Sequence, residues 1–115
     1  NFTANDMKMV DLYRFKKEAI KVDKELCMSL VEKIFVISKS KLYELKTFKI
    51  ADSNKGKVCE AYISDKLNLK KNEEAYHRLA FIGFVNAKAS VLVFHLKNVN
   101  DIKINEALQF WNSLR

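Results

Sequence analysis

Lys41 to Ser64, KLYELKTFKIADSNKGKVCEAYIS, carries the strongest turn signal in the chain. Its centre, Asp52-Ser53-Asn54-Lys55-Gly56-Lys57, combines Asx side chains with a glycine that tolerates a positive φ. Before the turn, Leu42, Tyr43, Leu45, Phe48 and Ile50 are strand formers, and Val58 to Ser64 supplies another strand after it. The stretch predicts strands that meet at a tight turn, and with them an antiparallel sheet.

Working upstream, Val31 to Ile37 is rich in β-branched and aromatic residues, and Ser38, Lys39 and Ser40 interrupt it before Lys41. That reads as a further hairpin, with Glu25 to Leu30 as an earlier hairpin connection. Arg14 to Val22 fits neither period and is open between helix and first strand. Thr3 to Asp6 has capping-box character and predicts a short helix near 5 to 12. Downstream, Leu67 and Leu69 alternate as one more short strand. Leu79 to Val85 and Val91 to Leu96 read as buried neighbouring antiparallel strands, separated by Asn86 to Ser90. The period then changes: Ile102, Ile104, Ala107, Leu108, Trp111 and Leu114 recur at helical spacing, with Asn100 or Asp101 placed to cap. Trp111, Phe81, Phe84 and Phe94 are assigned to the core.

The expected fold is mainly β (α+β): a bent antiparallel sheet of about seven strands, forming a sandwich or partial barrel, capped by a C-terminal helix. Residues 1 to 13 are expected to be a helical extension and 14 to 115 the domain.

The 115 residues, 49% of them hydrophobic and 30% charged, suffice for one core. No uncharged run approaches the ~20 residues of a membrane span, and no secretory start is visible; a lipidation signal upstream of Asn1 would fall outside this sequence. Zero prolines and two glycines leave little from which to shape a phosphate-cradling glycine loop. Cys27 and Cys59 are too far apart for a CxxC motif and too few for a disulfide scaffold, so they are expected to be buried reduced thiols. His77 and His95 lack companion metal ligands. Ser38, Ser40 and Ser64 have no nucleophile-elbow context, and no carboxylate pair stands out as acid and base. The expectation is a non-catalytic protein without metal or cofactor.

Lysine and arginine outnumber aspartate and glutamate by 21 to 14, a net charge of +7 that favours phosphorylated lipid surfaces, nucleic acid or acidic proteins. Nucleic acid is disfavoured because the aromatics lie in apolar runs and are not interleaved with basic residues.

Four pieces, Lys33-Ile34-Phe35-Val36-Ile37-Ser38, Lys41-Leu42-Tyr43, Lys55-Gly56-Lys57-Val58 and Phe110-Trp111-Asn112-Ser113-Leu114, occur in that order. Their succession, across about residues 14 to 115, resembles the second strand, third strand, turn before the fourth strand and terminal tryptophan helix of pleckstrin-homology (PH) domains. The Lys- and Asn-rich composition is also similar to apicomplexan acylated PH proteins, which join a lipidated N-terminus to a phosphatidic-acid-sensing PH domain. The resemblance implies that basic side chains at the open end of the sheet gather around the phosphates of a membrane lipid. Carried over, the lipid-binding set is Lys21 or Lys24, then Lys33 and Lys55, with Lys41 and Lys57 completing the rim. Val31 occupies a further position where the family has a basic residue, acidic Glu32 intervenes, and Glu44 stands where many phosphoinositide binders have a tyrosine. A carboxylate there repels phosphate, so looser recognition of anionic lipid, including phosphatidic acid, fits better than one inositol phosphate.

The implied protein is a monomeric signalling adaptor, cytoplasmic and peripheral at a membrane surface. The alternative is a protein-interaction module of phosphotyrosine-binding or EVH1-like type, holding a peptide beside the C-terminal helix. That alternative requires an exposed apolar groove between Val58 to Ser64 and the helix over 102 to 114.

Overall fold

A computed structural model of the chain describes residues 7–15, 21–39, 41–65, 77–97 and 99–115. Among them are five strands, β1 (Met7–Phe15), β2 (Tyr43–Ser53), β3 (Gly56–Asp65), β4 (His77–Val85) and β5 (Lys88–Leu96), and two helices, α1 (Lys24–Phe35) and α2 (Asp101–Ser113). The strands form one antiparallel sheet in the order β1-β5-β4-β3-β2, so the first strand pairs with the last. The hairpin β2–β3 turns at Asn54 and Lys55, where Gly56 takes φ 92°. The β4–β5 turn uses Asn86 and Ala87, both at positive φ (52° and 64°), the backbone that matches the twist of a two-residue hairpin.

Both faces of the sheet are covered, which is why β4 and β5 read as continuous apolar runs. On one face Leu26, Cys27, Leu30, Val31 and Phe35 of α1 pack on Cys59, Ala61, Ile63, Ala80, Ile82, Val91 and Val93. On the other, Ala107 and Trp111 of α2 pack on Val58, Leu79, Phe81, Leu92, Phe94 and Leu96. Gly83 makes room for the indole: a Cβ there would lie 2.8 Å from Trp111 Cζ2 and 3.2 Å from the Lys57 carbonyl oxygen.

Several expectations are corrected. The short N-terminal helix is strand β1, hydrogen-bonded along β5 with a bulge between Met9 and Asp11. Glu25 to Leu30 is no hairpin connection, and Val31 to Phe35 no strand. Together they are α1, started by Asp23, whose carboxylate accepts from the Leu26 amide at 2.8 Å. The described residues contain five strands in an open sheet between two helices, where about seven in a sandwich or partial barrel were expected. The short strand at Leu67 and Leu69 lies outside the described residues. Cys27 and Cys59, expected as reduced thiols, form a disulfide between α1 and β3 with Cα atoms 6.4 Å apart. The C-terminal helix is where it was expected, capped by Asn100, which accepts from the Lys103 amide at 2.9 Å, and Trp111 is fully buried. Among the described residues no helix is long and apolar enough to cross a membrane.

Candidate lipid-contact surface

The six lysines do not gather at one place. Lys21 and Lys24 are exposed around the start of α1, before and after its cap Asp23. Lys55 and Lys57 lie at the β2–β3 turn. Lys55 is half-buried, and the Lys57 ammonium is held by Asp52 at 2.6 Å. That turn is also fastened to the end of α2, because the Asn54 amide and side chain donate to Asn112 at 3.1 and 3.0 Å. Lys33 sits in the last turn of α1, and Lys41 just before β2. From Tyr43 to Ser53 β2 makes ten steps of ~3.3 Å, so Lys41 and Lys55 stand at opposite ends of a strand ~33 Å long. Lys41 therefore stands where α1 leads into β2 and Lys55 and Lys57 at the far end of β2, while the Lys33 ammonium is turned to Phe15 of β1, the opposite edge of the sheet.

The corner is held by Glu32. Helix α1 stops at Val36, a β-branched residue in the left-handed region (φ 51°, ψ 46°), with its amide on the Glu32 carbonyl oxygen at 2.8 Å. The Glu32 carboxylate reaches forward to accept from the Ser38 hydroxyl and from the Ser38 amide at 3.0 Å. The Ser38 hydroxyl, then its amide, hold this carboxyl below its usual pKa, and the Lys39 charge adds to the effect. Glu32 is thus engaged within the turn, while Lys33, Lys39 and Lys41 are exposed. The connection also carries two partly exposed apolar side chains, Val36 at 44% and Leu42 at 41% exposure. The Lys33 ammonium lies 5.0 Å from the centre of the Phe15 ring, a cation–π contact, and it also complements the negative end of the α1 dipole. Sequence reading had not placed Val36 and Leu42 at the site. Only Leu42 carries a local signal, an apolar residue directly after Lys41 where solubility alone would favour a polar one.

On the opposite face a groove of about 310 Å³ opens beside the start of α2. Thr47 and Lys49 of β2, Glu60 and Tyr62 of β3 and Leu79 of β4 line it, with Val99 and Ile104 on the helix side. Glu60 is buried and its carboxylate is met by Lys49 at 3.2 Å. Burial raises the Tyr62 phenol pKa, and the ring stands edge-on to His77 with centroids 5.0 Å apart. Among the described residues β2 pairs with β3 alone, so its outer edge borders this groove unpaired.

Lys16, Lys17, Lys66, Lys70 and Lys71 lie outside the described residues. No protein-family model, no curated protein and no solved structure matches this chain. Of the pieces that resemble a PH domain, Lys33 to Phe35 is helix and Lys41-Leu42-Tyr43 leads into β2, while Phe110 to Ser113 is in the terminal helix.

Proposed function

We propose that this chain is a non-catalytic module that attaches peripherally to anionic phospholipid, phosphatidic acid or phosphoinositide, through the α1–β2 corner. One observation carries the reading: Lys39 and Lys41 are exposed in the same connection between α1 and β2 as the exposed apolar Val36 and Leu42. Lysines near an anionic leaflet contribute about 1 kcal/mol each, and the apolar pair adds interfacial burial where the lysine stems spread. Charge of this kind attracts a surface without demanding one head-group stereochemistry, in keeping with Glu44 at the start of β2.

Sedimentation with vesicles of neutral phosphatidylcholine, alone or containing phosphatidic acid or a phosphoinositide, tests it at low salt. Wild-type protein is expected to pellet with the anionic vesicles and not the neutral ones. Replacing both Lys39 and Lys41 with Glu removes about 2 kcal/mol or more, roughly a 30-fold loss of binding. Lys55→Glu, at the far end of β2, is expected to bind like the parent. Absence of enrichment on every anionic vesicle would end this reading, and equal losses for Lys55→Glu would move the site.

A second reading has an observation of its own. The groove beside α2 and the edge of β2, which among the described residues pairs with β3 alone, suit an extended peptide that adds a strand and seats a side chain against Tyr62 and Ile104. Peptides selected on the protein by display are expected to shift the backbone amide resonances of β2 and the first turn of α2. Selected peptides that leave those resonances in place would reject it.

A further inference from the structure

Arg78, the second residue of β4, shares the α1 face with Ala80 and Ile82 and is paired in register with Ile63 and His95. Its Nη1 is buried and has no hydrogen-bond partner among the described residues, and none of the ion pairs there includes it. Desolvating a guanidinium without a counter-charge is costly, because the arginine cannot shed its proton to escape. Arg78 also lines a cavity of about 200 Å³, together with Asp11, Tyr13, Tyr43, Val93 and the Ile34 and Phe35 of α1.

The rest of that lining narrows the ligand. Asp11 is engaged locally, its carboxylate accepting from the Leu12 amide at 2.9 Å and from the Tyr13 hydroxyl. It nevertheless leaves the cavity with one cation and one anion, so a doubly charged phosphate would meet repulsion with a single positive group to offset it. A monoanion meets less of that repulsion. The planar guanidinium fork matches a carboxylate. The remaining wall is apolar and aromatic: Ile34, Val93, and Phe35 set edge-on to Tyr43 at 5.5 Å. The volume is below the ~300 Å³ at which pockets for drug-sized ligands begin, so the guest is small.

We propose that this cavity binds the carboxylate of a small apolar acid, with Arg78 as its ion-pair partner and Ile34, Phe35 and Val93 around its apolar body. The site is separate from the lipid corner and stands whether or not vesicles bind.

Calorimetric titration of the whole chain with hexanoate and benzoate tests it, with hexanol, benzyl alcohol and inorganic phosphate as comparisons. The acids are expected to bind and the matching alcohols to bind at least about tenfold more weakly, the loss of one charge-assisted pair. Arg78→Gln should weaken the acids by a similar factor. Asp11→Asn should tighten them, because a like charge leaves the cavity; that outcome and the contrast of acid with alcohol serve as the test if Arg78→Gln fails to fold. Acids that do not bind at millimolar concentration, alcohols that bind as well as acids, preference for phosphate, an unchanged Arg78→Gln or a weakened Asp11→Asn would each overturn the proposal.

Discussion

Trp111→Ala lowers the unfolding free energy by ~3 to 5 kcal/mol in a urea titration followed by far-UV circular dichroism. The indole is fully buried, 6.5 Å from the Phe81 ring centre, and Gly83 is the notch that receives its edge. Its Nε1 also donates to the Ser53 hydroxyl at 3.3 Å. That hydroxyl in turn donates to the Gly56 carbonyl at 2.7 Å and accepts from the Lys55 amide at 3.2 Å. Truncation therefore leaves a cavity between α2 and β4 and removes a donor from the group that organises the β2–β3 turn. Trp111→Phe, which refills part of the volume but lacks the N–H, is expected to lose less. A loss below about 1 kcal/mol for the alanine variant would mean that α2 is not what holds this face of the sheet.

Removing the Cys27–Cys59 bond has the second large effect. The bond joins residues 32 apart in sequence, and closing such a loop in the unfolded chain is worth ~3 to 4 kcal/mol by chain entropy. The double variant Cys27→Ala, Cys59→Ala is expected to be less stable by that amount and insensitive to reductant, while the parent loses the same stability when unfolded with reductant present. Matching stabilities for parent and variant without reductant would show that the bond does not form in solution. Both sulfurs are fully buried, so access by a reductant requires the core between α1 and β3 to open. Disulfides persist in oxidising compartments, whereas the anionic leaflet proposed as the target faces the cytoplasm. Alkylation of the protein as it leaves the cell extract, before any reductant, decides between the two settings.

The legible parts of the fold were those whose local chemistry agrees with their surroundings. Asn54, Lys55 and Gly56 make a turn wherever they stand, and the apolar runs of β4 and β5 can only be buried. Ile104, Ala107, Leu108 and Trp111 keep a helical period that no neighbour contradicts. Helix α1 was hidden because Val31, Ile34, Val36 and Ile37 carry β-forming side chains, and propensity outweighed a fainter pattern. That pattern is a cap at Asp23 followed by Leu26, Leu30, Val31 and Phe35 on one face. In β1 the register shift between Met9 and Asp11 breaks the alternation by which a strand is recognised. The lysines could be chosen by type but not by position. Nothing local tells Lys41 that ten strand steps will carry Lys55 away from it, or that α1 and β2 will meet with Val36 and Leu42 turned to water.

The pairing of β1 with β5, with Met7 opposite Leu96, fixes when this protein can be finished. Among the described strands β1 is made first, yet the partner it needs, β5, is the last of them to emerge. During synthesis β2, β3 and β4 can zip in sequence, while β1 is held in reserve with its apolar side chains unshielded. Contacts so distant along the chain slow the final step, and a nascent chain stalled before Lys88 would present two open sheet borders to its neighbours.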